Sequence, residues 1–147
     1  MLSQTAEYAL RAVLYLAERG ESAPVRVGDM ARALGIPQNY LSKTLHALVR
    51  TGVLASARGP LGGFLLARPA SELPLAAIVE PFDDIQRRRR CLLGRSECRD
   101  RGACAAHLAW RSTADQVATF FRTTTIGDLS GPTASPDTTR RPTRRAP

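Results

Sequence analysis

Long apolar runs are missing from this sequence. No stretch approaches the ~18 residues that a membrane-crossing helix requires, so no membrane partner is expected. Aromatic residues are scarce, at 5% of the chain, which leaves a core to be built from Ala, Leu and Val. Lysine occurs once, at Lys43, so 20 of the 21 cationic residues are arginine. Cysteine is absent outside a span of 14 residues, where Cys91, Cys98 and Cys104 fall together. An odd number of cysteines argues against a disulfide framework and for a metal, a cluster or reactive thiols. A glycine-rich nucleotide loop, a nucleophile triad and paired carboxylates in a cleft-like context are also lacking, and an enzyme is not expected. The N-terminal stretch MLSQTAEYALRAVLYLAERG carries Glu7 and Glu18 without a basic leader, which excludes a signal peptide and predicts a cytoplasmic protein.

What remains is a chain of 147 residues, enough for one hydrophobic core, with a net charge of +8. Four Arg and two Asp from Asp128 onward supply +2 of that charge, so the body keeps a basic balance suited to a polyanionic partner. Residues 3 to 19 repeat Ala6, Ala9, Leu10, Val13, Leu14 and Ala17 at helical spacing up to Gly20. Residues 27 to 34 predict a second helix closed by Gly35. Pro37 opens a third, PQNYLSKTLHALVRT, with Tyr40, Leu41, Leu45, Leu48 and Val49 as its apolar stripe and Gly52 as its C-terminal cap. GVLASA and FLLA follow as two short strands around the tight reversal ARGPLGGF, and residues 74 to 80 predict a short helix. A polar, Arg-rich loop carries the cysteines, a long helix is expected from Cys104 to Thr123, and the Pro/Thr/Ser/Arg tail from Gly131 is expected to be disordered.

Helix, short link, helix, strand, hairpin, strand is the order of a winged helix-turn-helix. The expected fold is thus mainly α with a small β-wing. The third helix sets Gln38, Asn39, Ser42, Lys43 and His46 opposite its stripe, as groups that reach base edges in a major groove. In the hairpin, Arg58 supplies charge, while Gly59, Pro60, Gly62 and Gly63 let backbone approach a phosphate or the minor groove.

SQTAEYALRAVLYLA, then VRVGDMARALGIPQNYLSKTLHALVRTGVLASARGPLGGFLLARP, then LPLAAIVEPFD, the cysteine segment and TTTIGDL resemble the Rrf-type family of bacterial winged-helix transcription regulators, over residues 1 to 129. The resemblance implies a head over residues 1–80, a cluster loop over 81–103, a dimerisation helix over 104–130 and a tail over 131–147. It also implies a homodimer whose two heads read a palindromic duplex DNA operator, with base readers between Gln38 and Thr44, Tyr40 and Thr44 included, and a wing from Arg58 to Gly63. Members that carry Glu after the YL of the third helix use it in operator selection; this chain has Ser42 there, so their operator preference does not transfer. The stripe Leu108, Val117, Phe120 and Phe121 suits a partner surface or an intrachain core equally.

The cysteine spacing is C-x6-C-x5-C, in RRRRCLLGRSECRDRGACAAH. Three soft thiolates converging in a loop favour an iron–sulfur cluster, 2Fe–2S or 4Fe–4S, over zinc, which prefers closely paired C-x2-4-C clips. His107, three residues after Cys104, would share its helical face and is one fourth ligand; the pairing resembles IscR-like members. Glu7 of a partner subunit is the other, by resemblance to NsrR-like members. Arg87 to Arg90 are a solvated run, phosphate contacts or an offset to cluster charge. The implied activity is a repressor gated by nitric oxide, redox state or iron–sulfur status. The alternative is a cluster-free regulator whose arginine-flanked thiols respond to oxidants, or one that senses a small metabolite. An electron carrier with a helical docking head would have no use for the polar helix face or the basic hairpin. Cys98→Ala is expected to abolish the visible absorption of anaerobically purified protein without unfolding it; persistent colour would remove Cys98 from the ligand set.

Overall fold

The structure, a computed structural model, describes residues 2–20, 23–85, 91, 93 and 103–131. Arg87 to Arg90, Cys98 and the tail beyond Gly131 lie outside the described residues. Helix α1 (Gln4–Arg19) starts where the Ser3 hydroxyl accepts the Ala6 amide, as a side-chain N-cap. Its inward face is Ala6, Ala9, Ala12, Val13 and Leu16. Small residues here let α3 (Gln38–Arg50), α4 (Leu75–Val79) and α6 (Ile126–Ser130) pack closely against one helix.

Helix α2 (Val27–Leu34) ends at Gly35, whose φ of 65° supplies the left-handed turn. The Ile36 amide then bonds back to the Ala31 carbonyl at 3.1 Å. Helix α3 (Gln38–Arg50) begins one residue later than expected, because Pro37 is its N-cap and its carbonyl takes the Tyr40 and Leu41 amides. At the far end Gly52 (φ 73°) donates to Val49, and Val53 donates to Leu48. This pair of bonds is a Schellman motif, sealed by the buried side chains of Leu48 and Val53. Leu41, Leu45 and Leu48 are fully buried as the periodicity predicts. Tyr40 departs from the expected stripe: it is 67% exposed, because it lies at the stripe's edge and turns outward beside Pro37.

Strands β1 (Leu54–Ala57) and β2 (Gly63–Leu66) pair antiparallel, Leu54 with Leu66 through Ala57 with Gly63. Val25 adds a third rung on the other edge of β2, exchanging two 2.8 Å bonds with Phe64. A 3-10 turn at Ala70–Glu72 leads to α4 (Leu75–Val79).

The C-terminal part differs from the expected single helix. Helix α5 spans His107–Thr123, so Cys104 precedes it, with its carbonyl accepting the His107 amide at 3.0 Å. Thr124 and Thr125 turn extended, and a separate α6 (Ile126–Ser130) follows. It is closed by a capping box in which Thr125 and Asp128 cap each other's amides. Leu75 donates to Thr124, and Ile126 donates to Leu73, each at 2.9 Å. These bonds stitch the chain end back to the segment before α4. Among the described residues a single cluster of buried side chains runs from Ala6 to Ile126.

The Thr125 amide and hydroxyl, in that order, hold the Asp128 carboxyl below its ordinary value of 3.8. A carboxyl whose pKa falls on folding stabilises the fold above its unfolded pKa and stops doing so as pH falls through the folded one. Thr125→Ala is therefore expected to cost about 1 kcal/mol at neutral pH. That cost should narrow on acidification below pH 3.8. Urea unfolding at several pH values checks this; a pH-independent cost would remove the Thr125 hydroxyl from the partners of the Asp128 carboxylate.

Candidate nucleic-acid interface and cysteine segment

The exposed end of α3 is its first turn. No side chain caps it; of its leading amides, those of Tyr40 and Leu41 are taken by the Pro37 carbonyl. Gln38, Asn39, Tyr40, Lys43 and His46 are exposed and Ser42 is half-buried. Gln38 leans over Gly28 of α2, its Oε1 3.4 Å from where a Cβ would stand. Thr44 corrects the expected set. It is 3% exposed and its hydroxyl donates to the Tyr40 carbonyl at 3.0 Å, so it faces the core.

The wing tip is a β-turn in which Gly62 donates to Gly59 at 2.9 Å, with Pro60 at its first corner. Arg58 and Pro60 are exposed, and Leu61, a residue no charge pattern marks, is 85% exposed at the tip. Gly62 and Gly63 also have a role within the fold. A Cβ at Gly62 would stand 2.3 Å from the Ala57 carbonyl oxygen, and one at Gly63 2.4 Å from the Val25 carbonyl oxygen. Those spaces are filled by the protein's own backbone, which is why both positions exclude a side chain. Gly59, with φ 99° and open space around it, is the position where a turn demands glycine. Arg26, at the N-cap of α2, donates to the Pro60 carbonyl and ties the tip to the helix-turn-helix.

Lys43, Arg50, Arg58 and Arg68 are exposed and form no ion pair among the described residues. Of these, Lys43 stands on α3 and Arg58 on the wing, and unneutralised cations there suit a polyanion.

Cys91 and Cys104 are both half-buried. Cys98, expected between them, lies outside the described residues. His107 is 3% exposed at the start of α5, and Glu7 is exposed in the first turn of α1. Because Cys104 precedes the helix, the shared helical face expected for Cys104 and His107 does not form; a one-turn hydrogen bond joins the two residues instead. Among the described residues no three His, Cys, Asp or Glu side chains gather as a metal site. The α5 stripe divides. Phe121 is buried and Val117 packs on the same core, while Leu108 and Phe120 stay 78% and 51% exposed.

Residues 2–132 match the Rrf2 family, described as an iron-dependent transcriptional regulator. The chain belongs to the Rrf2 family. The HTH-type transcriptional regulator IscR of Cronobacter sakazakii is 32% identical to it over 128 residues, 87% of this chain and 78% of that protein. The solved structure of CymR, the global cysteine regulator of B. subtilis, has a TM-score of 0.74 and 21% identity, covering 88% of this chain and 95% of that one. T. potens IscR gives 0.69 and 21%, covering 88% and 85%. The winged-helix fold is thereby established, and this Rrf2 protein is an HTH-type transcriptional regulator and not an enzyme. No helix among the described residues is long and apolar enough to cross a membrane.

For an Rrf2 regulator, Arg58→Ala should weaken binding to all duplexes alike and lower the slope of log K against log salt by about 0.9, the value for one lost phosphate contact. Titrations of a sequence-selected and a scrambled duplex at several salt concentrations check this. An unchanged slope would take Arg58 out of the interface.

Proposed function

We propose that the protein is a homodimeric repressor whose grip on a palindromic operator is set by an iron–sulfur cluster and responds to nitric oxide, redox state or iron–sulfur status. The observation that carries this reading is the packing of every cysteine of the chain into 14 residues directly before α5, in a family described as iron-dependent. Cys91, Cys98 and Cys104 would be the thiolate ligands, in keeping with the soft donors such iron prefers. His107 is the favoured fourth ligand, since its backbone is bonded to Cys104; Glu7 of the partner subunit is the alternative. When bound, the cluster would supply redox-active iron open to a small diatomic molecule.

The chain's own residues do the rest. Cys104 and His107 sit at the N-terminal end of α5, and α5 packs against α4, which packs against α1. A change in how the ligand residues are held is thus passed to the helix that carries the head. Leu108 and Phe120 are exposed apolar side chains on α5 that a second copy of the helix would cover. In a dimer so formed, the two α3 helices would enter successive major grooves about 34 Å apart. Gln38, Asn39, Tyr40, Ser42 and Lys43 would read bases, and the wing from Arg58 to Gly63 would engage the backbone.

A second reading is supported by the arginines that flank the cysteines in RRRRCLLGRSECRDRGAC. In it the cysteines act as thiols, their thiolate form favoured by neighbouring arginines.

Anaerobic purification separates the two. The cluster reading expects coloured, iron-containing protein whose affinity for a duplex selected from a random pool changes about 5- to 150-fold when nitric oxide or a chelator removes the cluster. Equal binding by iron-loaded and stripped protein would overturn it. Colourless protein whose binding is lost with peroxide and regained with a dithiol would establish the thiol reading in its place.

A further inference from the structure

Between the reading end of α3 and the Gly52 turn lies His46, and its ring does not stand free. It meets the ring of Phe64 edge-on, with centroids 5.3 Å apart and planes at 75°. Phe64 is the most firmly held residue of the wing. Both its amide and its carbonyl are bonded to Val25 at 2.8 Å, and its side chain is 7% exposed. The preceding Gly63 is pressed against the Val25 carbonyl with no room for a Cβ. The wing is attached covalently to α3 through Gly52, a residue of positive φ at the far end of the helix from its reading turn. The base of the hairpin is seated on the core through the buried side chains of Val53, Leu54 and Phe64, and β1 packs on α3. The His46 ring braces the wing against α3 from the side, and Arg26, bonded to the Pro60 carbonyl, holds the tip.

We propose that His46 is a positioning residue for DNA reading: through its edge-on contact with Phe64 it fixes the wing's angle to α3, so that helix and wing engage a half-site as one rigid unit. The proposal rests on the DNA-binding reading above and is independent of whether a cluster is bound. Its specificity consequence is direct. Base readers on α3 and the backbone contacts of Arg58 must be satisfied at one spacing along the duplex. A loose wing relaxes that spacing, so that binding to any one sequence weakens while general affinity for duplex remains.

The test uses the full chain and two duplexes, one selected by the wild-type protein from a random pool and one scrambled. His46→Ala is expected to lower affinity for the selected duplex about 2- to 12-fold, the range of a lost aromatic pair. Affinity for the scrambled duplex should stay unchanged, and the thermal midpoint should fall by only a few degrees, leaving the protein folded under the binding conditions. His46→Phe should restore the selected affinity to within about twofold, because it keeps a ring against Phe64. Full affinity in His46→Ala would overturn the proposal. So would a His46→Phe protein as weak as His46→Ala, which would make the imidazole a direct DNA contact, or a lowered thermal midpoint that accounts for the loss. A wild-type chain that selects no sequence would overturn the DNA-reading function itself, an outcome told apart by the first selection.

Discussion

Close approach to α1 is the constraint on which the other elements depend. Its inward face is three alanines, Ala6, Ala9 and Ala12, followed by Val13 and Leu16, all at 5% exposure or less. With side chains this short, α3, α4 and α6 reach the same helix from different sides, and β2 touches it as well. A larger residue at any of the three alanines would push at least one neighbour outward, and overpacking of this kind costs about 1–3 kcal/mol. The scarcity of aromatic residues follows from the same arrangement, since a core organised around close helix contacts has little room for rings. The aromatic residue it does bury from α5, Phe121, comes from an element that meets α4.

The wing is built by exclusion in the same way. Gly62 and Gly63 are defined by what occupies the space of their missing side chains, the Ala57 and Val25 carbonyls. Val25, a segment with no strand character of its own, becomes a sheet rung because β2 leaves an edge open to it. The outcome is a hairpin whose backbone is committed to the protein on both sides, leaving Arg58, Leu61 and the turn at Gly59 as its outward-facing part.

Much of the head was legible from sequence because its boundaries are marked by residues with few conformational options. Ser3, Gly20, Gly35, Pro37 and Gly52 punctuate α1 to α3 within a residue of where the periodicity ends. Tyr40 was misplaced because it adjoins Leu41 at the stripe's margin, where periodicity alone does not decide which way a ring turns. The start of α5 was not legible: Ala105 and Ala106 are strong helix formers, and nothing local announces that the chain turns there first. The break between α5 and α6 did carry a signal, the Thr125-x-x-Asp128 box, hidden in a run of threonines with no glycine or proline before it. Thr44 faces inward for a reason no pattern shows, since its hydroxyl is satisfied by the Tyr40 carbonyl one turn earlier. Partners distant in sequence, Val25 with Phe64 and Arg26 with Pro60, were invisible because pairing across more than thirty residues leaves no local trace. The identities of the thiol donors were plain from composition, but composition says nothing of how they are arranged.

The two short bonds from Leu75 to Thr124 and from Ile126 to Leu73 have a mechanical meaning. They weld the exit of α5 to the entrance of α4, so the stretch of chain leaving α4 and returning along α5 is a closed loop with a fixed base. Pulling or slackening that loop cannot be relieved by swinging its far end away, because the far end is moored where the loop began. Whatever the chain between them does, the exit of α5 and the entrance of α4 stay together as one fixed point.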